Sequence, residues 1–333
     1  MKIRIKSGLL MVPILAFVWV GGYVLLAACV ALSVFAVREF YRAFETATVD
    51  SNRPIRPSYK VGVAGIILLY VMPFLFGGEI AWIVVCTVMC FALLFLKDER
   101  SVTDSLVTMA GLFYVALFIS FIYNIDFNFD PLQIAFKAGN ESLWETVLPS
   151  IDAWGDHSAN LFYFHGFRYN FVWLVIFTAF ATDIFAYFVG YKWGKHKLAP
   201  VLSPKKTVEG SIGGIVGSVL VCGVFGYFAM PEFLVHCIII GALGGVVSQA
   251  GDITASAIKR RLGLKDYGNL IPGHGGLLDR IDSILFTAPF VYLYLSVVSG
   301  WTMNGDMHTP AFEYIWQAMN GTVDASALEI LGR

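Results

Sequence analysis

Charge is what this chain has least of: 14% of its 333 residues are Asp, Glu, Lys or Arg, against about a quarter in a soluble domain. Hydrophobic residues make up 57% and the mean hydropathy is +0.70. That balance excludes an ordinary soluble enzyme, a disordered chain, and a nucleic-acid binder with a basic surface. Thiols are scarce too. The five cysteines (Cys29, Cys86, Cys90, Cys222 and Cys237) all lie inside apolar runs. A disulfide framework or zinc site needs ligands on loops at set spacing, so neither is expected. Internal repeats are missing, as are the matched broken helices that transporters carry. What remains is an all-α, polytopic integral membrane protein.

A membrane span needs roughly 20 apolar residues. The candidates are Leu9–Val20, Tyr23–Val37, Val61–Phe76, Ile80–Leu96, Leu106–Ile125, Phe171–Gly190, Ile212–Met230, Phe233–Ala250 and Ile284–Ser299. Nine spans are expected, or eight if the first two, separated only by Gly21-Gly22, form one long helix. Counting basic residues in the connecting segments orients the chain. With nine spans and a cytoplasmic N-terminus, 20 of the 23 lysines and arginines fall on the inner side. Only Lys137, Arg168 and Arg333 fall outside, and the C-terminus is outside with them. Leu26-Ala27-Ala28-Cys29 imitates a lipoprotein cleavage box, but the apolar run continues to Val37, which argues against one. The expected organisation is an N-terminal bundle over 1–125, an external loop over 126–168, a catalytic membrane domain over 169–300 and a tail over 301–333. The weakly amphipathic tail is expected on the outer surface.

Polar groups inside spans cost about 2.5–3.5 kcal/mol for a central carboxylate on insertion scales, so they point to function. Three clusters fall on the inner side. Asp183, Tyr187 and Gly190 form one stripe of the sixth span; a helix-packing stripe with Asp183 paired to a lysine would explain them equally. Ser203-Pro-Lys205-Lys206-Thr207-Val-Glu209-Gly210 precedes the seventh span and has the makings of a phosphate cradle. A basic topology anchor with a hydroxyl N-cap is the other reading of it. The third cluster runs from Ser248 to Asp282. Ser248, Asp252, Ser256 and Lys259 share one helix face, and Arg260, Lys265 and Asp266 follow. A turn then carries His274, Gly275 and Gly276, and Asp279, Arg280 and Asp282 open the last span. A solvated basic loop explains Lys259–Lys265 but not aspartates at two membrane boundaries. Carboxylates suit a hard divalent cation such as Mg²⁺, and the lysines suit phosphates. Together they fit phosphoryl or nucleotidyl transfer between a soluble nucleotide and a lipid.

The 27-residue stretch from Ser256 to Asp282 resembles the signature of the phosphatidate cytidylyltransferase (CDP-diacylglycerol synthase) family. The Ser203–Gly210 and Asp183–Gly190 segments resemble two further motifs of that family. The motif-bearing resemblance spans about 171–299. It implies the reaction CTP + phosphatidic acid → CDP-diacylglycerol + pyrophosphate in the cell membrane, for phospholipid biosynthesis, with the active site facing the cytoplasm. It also implies that Asp252 and Asp279 hold the catalytic Mg²⁺, with a K⁺ beside it. On charge grounds, Lys205, Lys206, Lys259, Arg260 and Arg280 are assigned to phosphates, with Ser203 and Thr207 as hydroxyl donors. Asp183 and Asp282 are placed near the metal, and His274 orients a phosphate or carboxylate. Tyr187, Glu209, Ser256, Lys265, Asp266, Gly275 and Gly276 complete the expected substrate site. Two positions depart from the family pattern: Ala255 where many relatives carry Glu, and Ile184 where many carry Ser or Thr. A homodimer is the one protein assembly expected. The alternatives are a CDP-archaeol synthase or CTP-dependent lipid kinase, and, in a different class, a transporter.

Overall fold

The computed structural model describes residues 12–47, 55–76, 79–96, 101–128, 170–268 and 275–298. His274, most of the 126–168 loop and the 301–333 tail lie outside them. The described chain is a bundle of apolar helices: α1 (Val12–Val20), α2 (Gly22–Thr46), α3 (Tyr59–Phe76), α4 (Glu79–Leu96), α5 (Val102–Asn128), α6 (Val172–Trp193), α7 (Val208–Ala229), α8 (Leu234–Arg261) and α9 (Leu278–Val298). Six of them, α2 and α5 to α9, are long and apolar enough to cross a membrane; α3 and α4 contribute shorter apolar stretches. Each expected span overlaps one of these helices in its described residues. Gly21 and Gly22, both at positive φ, separate α1 from α2, so the break is real. The described cysteines are free and buried, as their apolar setting requires.

Helices form here because apolar residues leave lipid-exposed backbone no other way to satisfy its hydrogen bonds. What fits them together is small residues. α6, α7, α8 and α9 form one packed group, and α2, α3 and α5 a second that meets it through α9. A Cβ added at Gly214 of α7 would lie 2.8 Å from the Thr182 carbonyl oxygen on α6. One added at Gly241 of α8 would lie 2.9 Å from the Ser218 carbonyl oxygen on α7. Glycine there lets backbones touch, which is where packing energy arises once lipid has replaced water.

Two local features depart from plain helix. Lys197–Ala199 (β1) and Ser203–Thr207 (β2) pair as a small antiparallel hairpin between α6 and α7. In α5 the residues Gly111–Ala116 form a π-helical turn. There the Tyr41 hydroxyl of α2 reaches in and donates to the Thr108 carbonyl oxygen at 2.6 Å. Gly111 leaves room for the Tyr41 ring. A side chain inserted into the ladder is a recognised cause of such widening.

Candidate active site

The three clusters meet at one end of the bundle. That end brings together the C-terminal ends of α2, α6 and α8 and the N-terminal ends of α7 and α9. The Thr207 hydroxyl caps α7 by accepting the Gly210 N–H at 3.1 Å, and the hairpin before it carries Lys205 and Lys206. Lys206 forms an ion pair with Asp252 of α8, each side chain about one quarter exposed. The Ser256 hydroxyl, one turn further along α8, reaches Asp252 at 3.4 Å. Asp183 of α6 accepts from the Ser283 hydroxyl of α9 at 3.1 Å and is exposed on its outer side. Asp183, Asp252 and Asp282 are close enough to repel one another, and Lys206 and Arg280 offset the charge of Asp183. Both oxygens of Asp252 thus face cationic or hydroxyl donors.

Two helical turns beyond Asp252 on α8 stands Lys259, whose side chain reaches the carboxylates of α9. Lys259 Nζ contacts Asp279 Oδ1 at 2.7 Å and Asp282 Oδ2 at 3.9 Å. Asp279 Oδ2 accepts the N–H groups of Tyr267 (2.8 Å) and Gly276 (2.9 Å). One buried carboxylate therefore holds both flanks of the signature loop together. Gly275 stands at φ +85, where a Cβ would be strained and would sit 3.1 Å from that carboxylate. The Lys259 ammonium also lies 5.3 Å from the centre of the Tyr267 ring. Burial pushes the Tyr267 phenol above its ordinary range, so it stays neutral.

Sequence reasoning missed Glu39. It stands on α2, far away in the chain, and accepts the Leu278 N–H at 2.7 Å. A carboxylate thereby caps α9, beside Gly268 and Gly276, at which any Cβ would collide with it. In the sequence it is one of several charged residues, with Arg38, Arg42 and Glu45, at the C-terminal end of α2.

Not every expected residue joins the cluster. Glu209 accepts the N–H groups of Lys195 (3.0 Å) and His196 and pairs with His196 Nδ1 at 2.6 Å. It thus fastens the base of the hairpin. Tyr187 is exposed and stacks on Tyr191, ring centres 6.2 Å apart. Gly190 packs against Thr207 and Gly210, so the α6 stripe divides into a site residue and packing residues. The Arg260 guanidinium donates to the Leu264 carbonyl oxygen at 3.0 Å, closing the turn after α8. Lys205, Lys265 and Asp266 are exposed, and Ser203 is half-buried on β2. Ala255 is buried, and its carbonyl oxygen accepts from the Tyr267 hydroxyl at 3.3 Å.

Among the described residues, no three His, Cys, Asp or Glu side chains converge to cage a metal unaided. Carboxylate and hydroxyl oxygens are nonetheless the donors on offer around Asp252. Mg²⁺ commonly binds through one or two carboxylates plus substrate phosphates and water. Asp252 and Asp279 each already face an ammonium, so both stand where a cation is favoured, and the donor set fits a metal shared with a phosphate.

Fold and site together define a polytopic helical membrane protein with a cluster of carboxylates and lysines at one end of its bundle. The chain belongs to the cytidylyltransferase family, whose sequence model matches residues 2–298. It is 38% identical over 212 residues to a phosphatidate cytidylyltransferase of Synechocystis sp., covering 62% of this chain and 67% of that one. The phosphatidate cytidylyltransferase of Bacillus subtilis is 44% identical over 136 residues, 40% of this chain and 50% of its own. Phosphatidate cytidylyltransferase 4, chloroplastic, of Arabidopsis thaliana is 31% identical over 288 residues, 85% of this chain and 70% of its own.

Proposed function

We infer that this chain is a phosphatidate cytidylyltransferase, joining CTP to phosphatidic acid to give CDP-diacylglycerol and pyrophosphate. One observation carries the reading. Carboxylates from α6, α8 and α9 and lysines from α8 and the β2 strand converge on one end of a membrane bundle. Two polyanions must be brought together there, and their mutual repulsion is the obstacle.

In the reaction a lipid phosphate oxygen attacks the α-phosphorus of CTP. The new P–O bond forms as the bond to the bridging oxygen breaks, and the electron pair leaves with pyrophosphate. Asp252 and Asp279 would hold the metal. When bound, Mg²⁺ supplies charge neutralisation and alignment of the triphosphate. Lys206 and Lys259, which stand against those carboxylates, would bind phosphate oxygens, and Arg280 would add a third cation. Asp279 keeps Tyr267 and Gly276, the two flanks of the signature loop, in register. The proposal places the protein in the cell membrane with nine crossings and this end in the cytoplasm. The positive-inside bias and the cytosolic origin of CTP support that side.

The test follows the label. Purified protein in mixed micelles receives phosphatidic acid, Mg²⁺ and CTP labelled at the α- or γ-phosphorus. The expected result is α-label in the lipid and γ-label in pyrophosphate. A lipid carrying γ-label, with CDP released, would make the protein a kinase and overturn the reading.

A further inference from the structure

Tyr114 is a polar group that no part of the site described so far uses. It lies in the π-helical turn Gly111–Ala116 of α5, in the N-terminal half of the chain. Its hydroxyl oxygen is fully buried and has no hydrogen-bond partner among the described residues. A buried donor without an acceptor is costly, and native proteins retain few of them. π-Turns are likewise irregularities that gather at functional positions. Both occur at one residue, and that residue lies within electrostatic range of Asp282 and Asp252.

The surroundings say which ligand would meet the hydroxyl. The Tyr114 ring is enclosed by Phe40, Phe118 and Phe286, with ring centres 5.9, 5.9 and 6.2 Å away. Phe286 stands on α9 one turn beyond Asp282. The tyrosine thus sits where an aromatic, apolar wall meets the carboxylate cluster. The hairpin residue Lys206 reaches that cluster from α7's side, by way of Asp252. A nucleotide phosphate entering from water meets Lys205 and Lys206 first. A phosphate bearing acyl chains suits the aromatic wall.

We propose that Tyr114 is a substrate-binding residue whose hydroxyl donates a hydrogen bond to the phosphate of the lipid substrate, and that the π-turn of α5 exists to aim it there. The assignment rests on the functional reading above and adds to it the location of the lipid-phosphate subsite. It also explains why an orphaned hydroxyl is tolerated: its acceptor arrives with the substrate.

Tyr114→Phe tests this, because it removes the hydroxyl and keeps the ring packing. Purified wild type and variant are compared in mixed micelles at varied mole fractions of phosphatidic acid and varied CTP. Their Tm is measured in the same detergent without substrate. The expected result is a KM for phosphatidic acid about tenfold higher, a KM for CTP within twofold of wild type, and a Tm equal to or above wild type. Losing an unsatisfied donor relieves the free protein while weakening the bound lipid. Unchanged lipid kinetics would overturn the proposal, as would a shift in the CTP KM alone. A clearly lowered Tm would also overturn it, since the hydroxyl would then be paired within the fold. The functional reading fails separately: wild-type protein that forms no CDP-lipid refutes that reading, whereas an active wild type with an indifferent variant refutes only the tyrosine's role.

Discussion

Replacing Lys259 with Met should cost this protein more than a surface charge would, and the structure says roughly how much. The lysine side chain is 10% exposed and that of Asp279 3%, with 2.7 Å between Nζ and Oδ1. Removing one partner of a buried ion pair typically costs about 3–5 kcal/mol, because the other charge stays behind without compensation. Here Asp279 keeps two backbone N–H donors, from Tyr267 and Gly276. Hydrogen bonds to a charged group contribute about 1.5–3 kcal/mol each, so the loss belongs at the low end, about 3 kcal/mol. Asp279→Asn alone should cost somewhat less, because the ammonium keeps Asp282 3.9 Å away. The double variant Lys259→Met/Asp279→Asn should then lose less than the sum of the two, with a coupling of about 1.5–3 kcal/mol. Denaturant titration in detergent micelles, run on all four proteins, measures that cycle. Strict additivity, or a Lys259→Met protein within about 0.5 kcal/mol of wild type, would show that the pair does not hold the signature loop.

Two further outcomes follow from the same geometry. Lys206→Ala should lower kcat by about tenfold or more, whereas Lys205→Ala should change kcat by less than about threefold, because only Lys206 is paired with Asp252; steady-state kinetics on both variants checks the difference. Glu39→Gln keeps an oxygen for the Leu278 N–H and should retain most activity. Glu39→Ala leaves the start of α9 uncapped and should lose about 1 kcal/mol of stability along with most turnover, read by unfolding and activity assays on the same preparations.

Hydropathy alone was enough to place the helices, because a run such as Val172–Trp193 has no alternative in a bilayer. The residue types at span ends were enough to find Asp183, Asp252, Asp279, Asp282, Lys206 and Lys259. Chemistry that is expensive to bury stands out against an apolar background. Pairing was less legible. Nothing in the local sequence says that Lys206 meets Asp252 while Lys259 meets Asp279, since both contacts depend on how α7, α8 and α9 dock. Glu209 enters the expected substrate site only with the family motif that its segment resembles. Its carboxylate instead ties down His196, thirteen residues upstream, through a hairpin whose strands are too short and polar to show as strands in the pattern. Glu39 escaped because it sits among the other charges that end α2, and Tyr114 because it is one aromatic residue in a long apolar helix. Their meaning lies in contacts with α9 and its aspartates, more than 150 positions away.

The central claim is that the carboxylate and lysine cluster couples CTP to a lipid phosphate. The most direct measurement follows pyrophosphate and CDP-lipid together, using purified wild type and Asp252→Asn supplied with CTP, phosphatidic acid and Mg²⁺. The account predicts one pyrophosphate per CDP-lipid from the wild type and a fall of about a hundredfold or more in the variant. Pyrophosphate release without CDP-lipid, or a variant as fast as wild type, would contradict it.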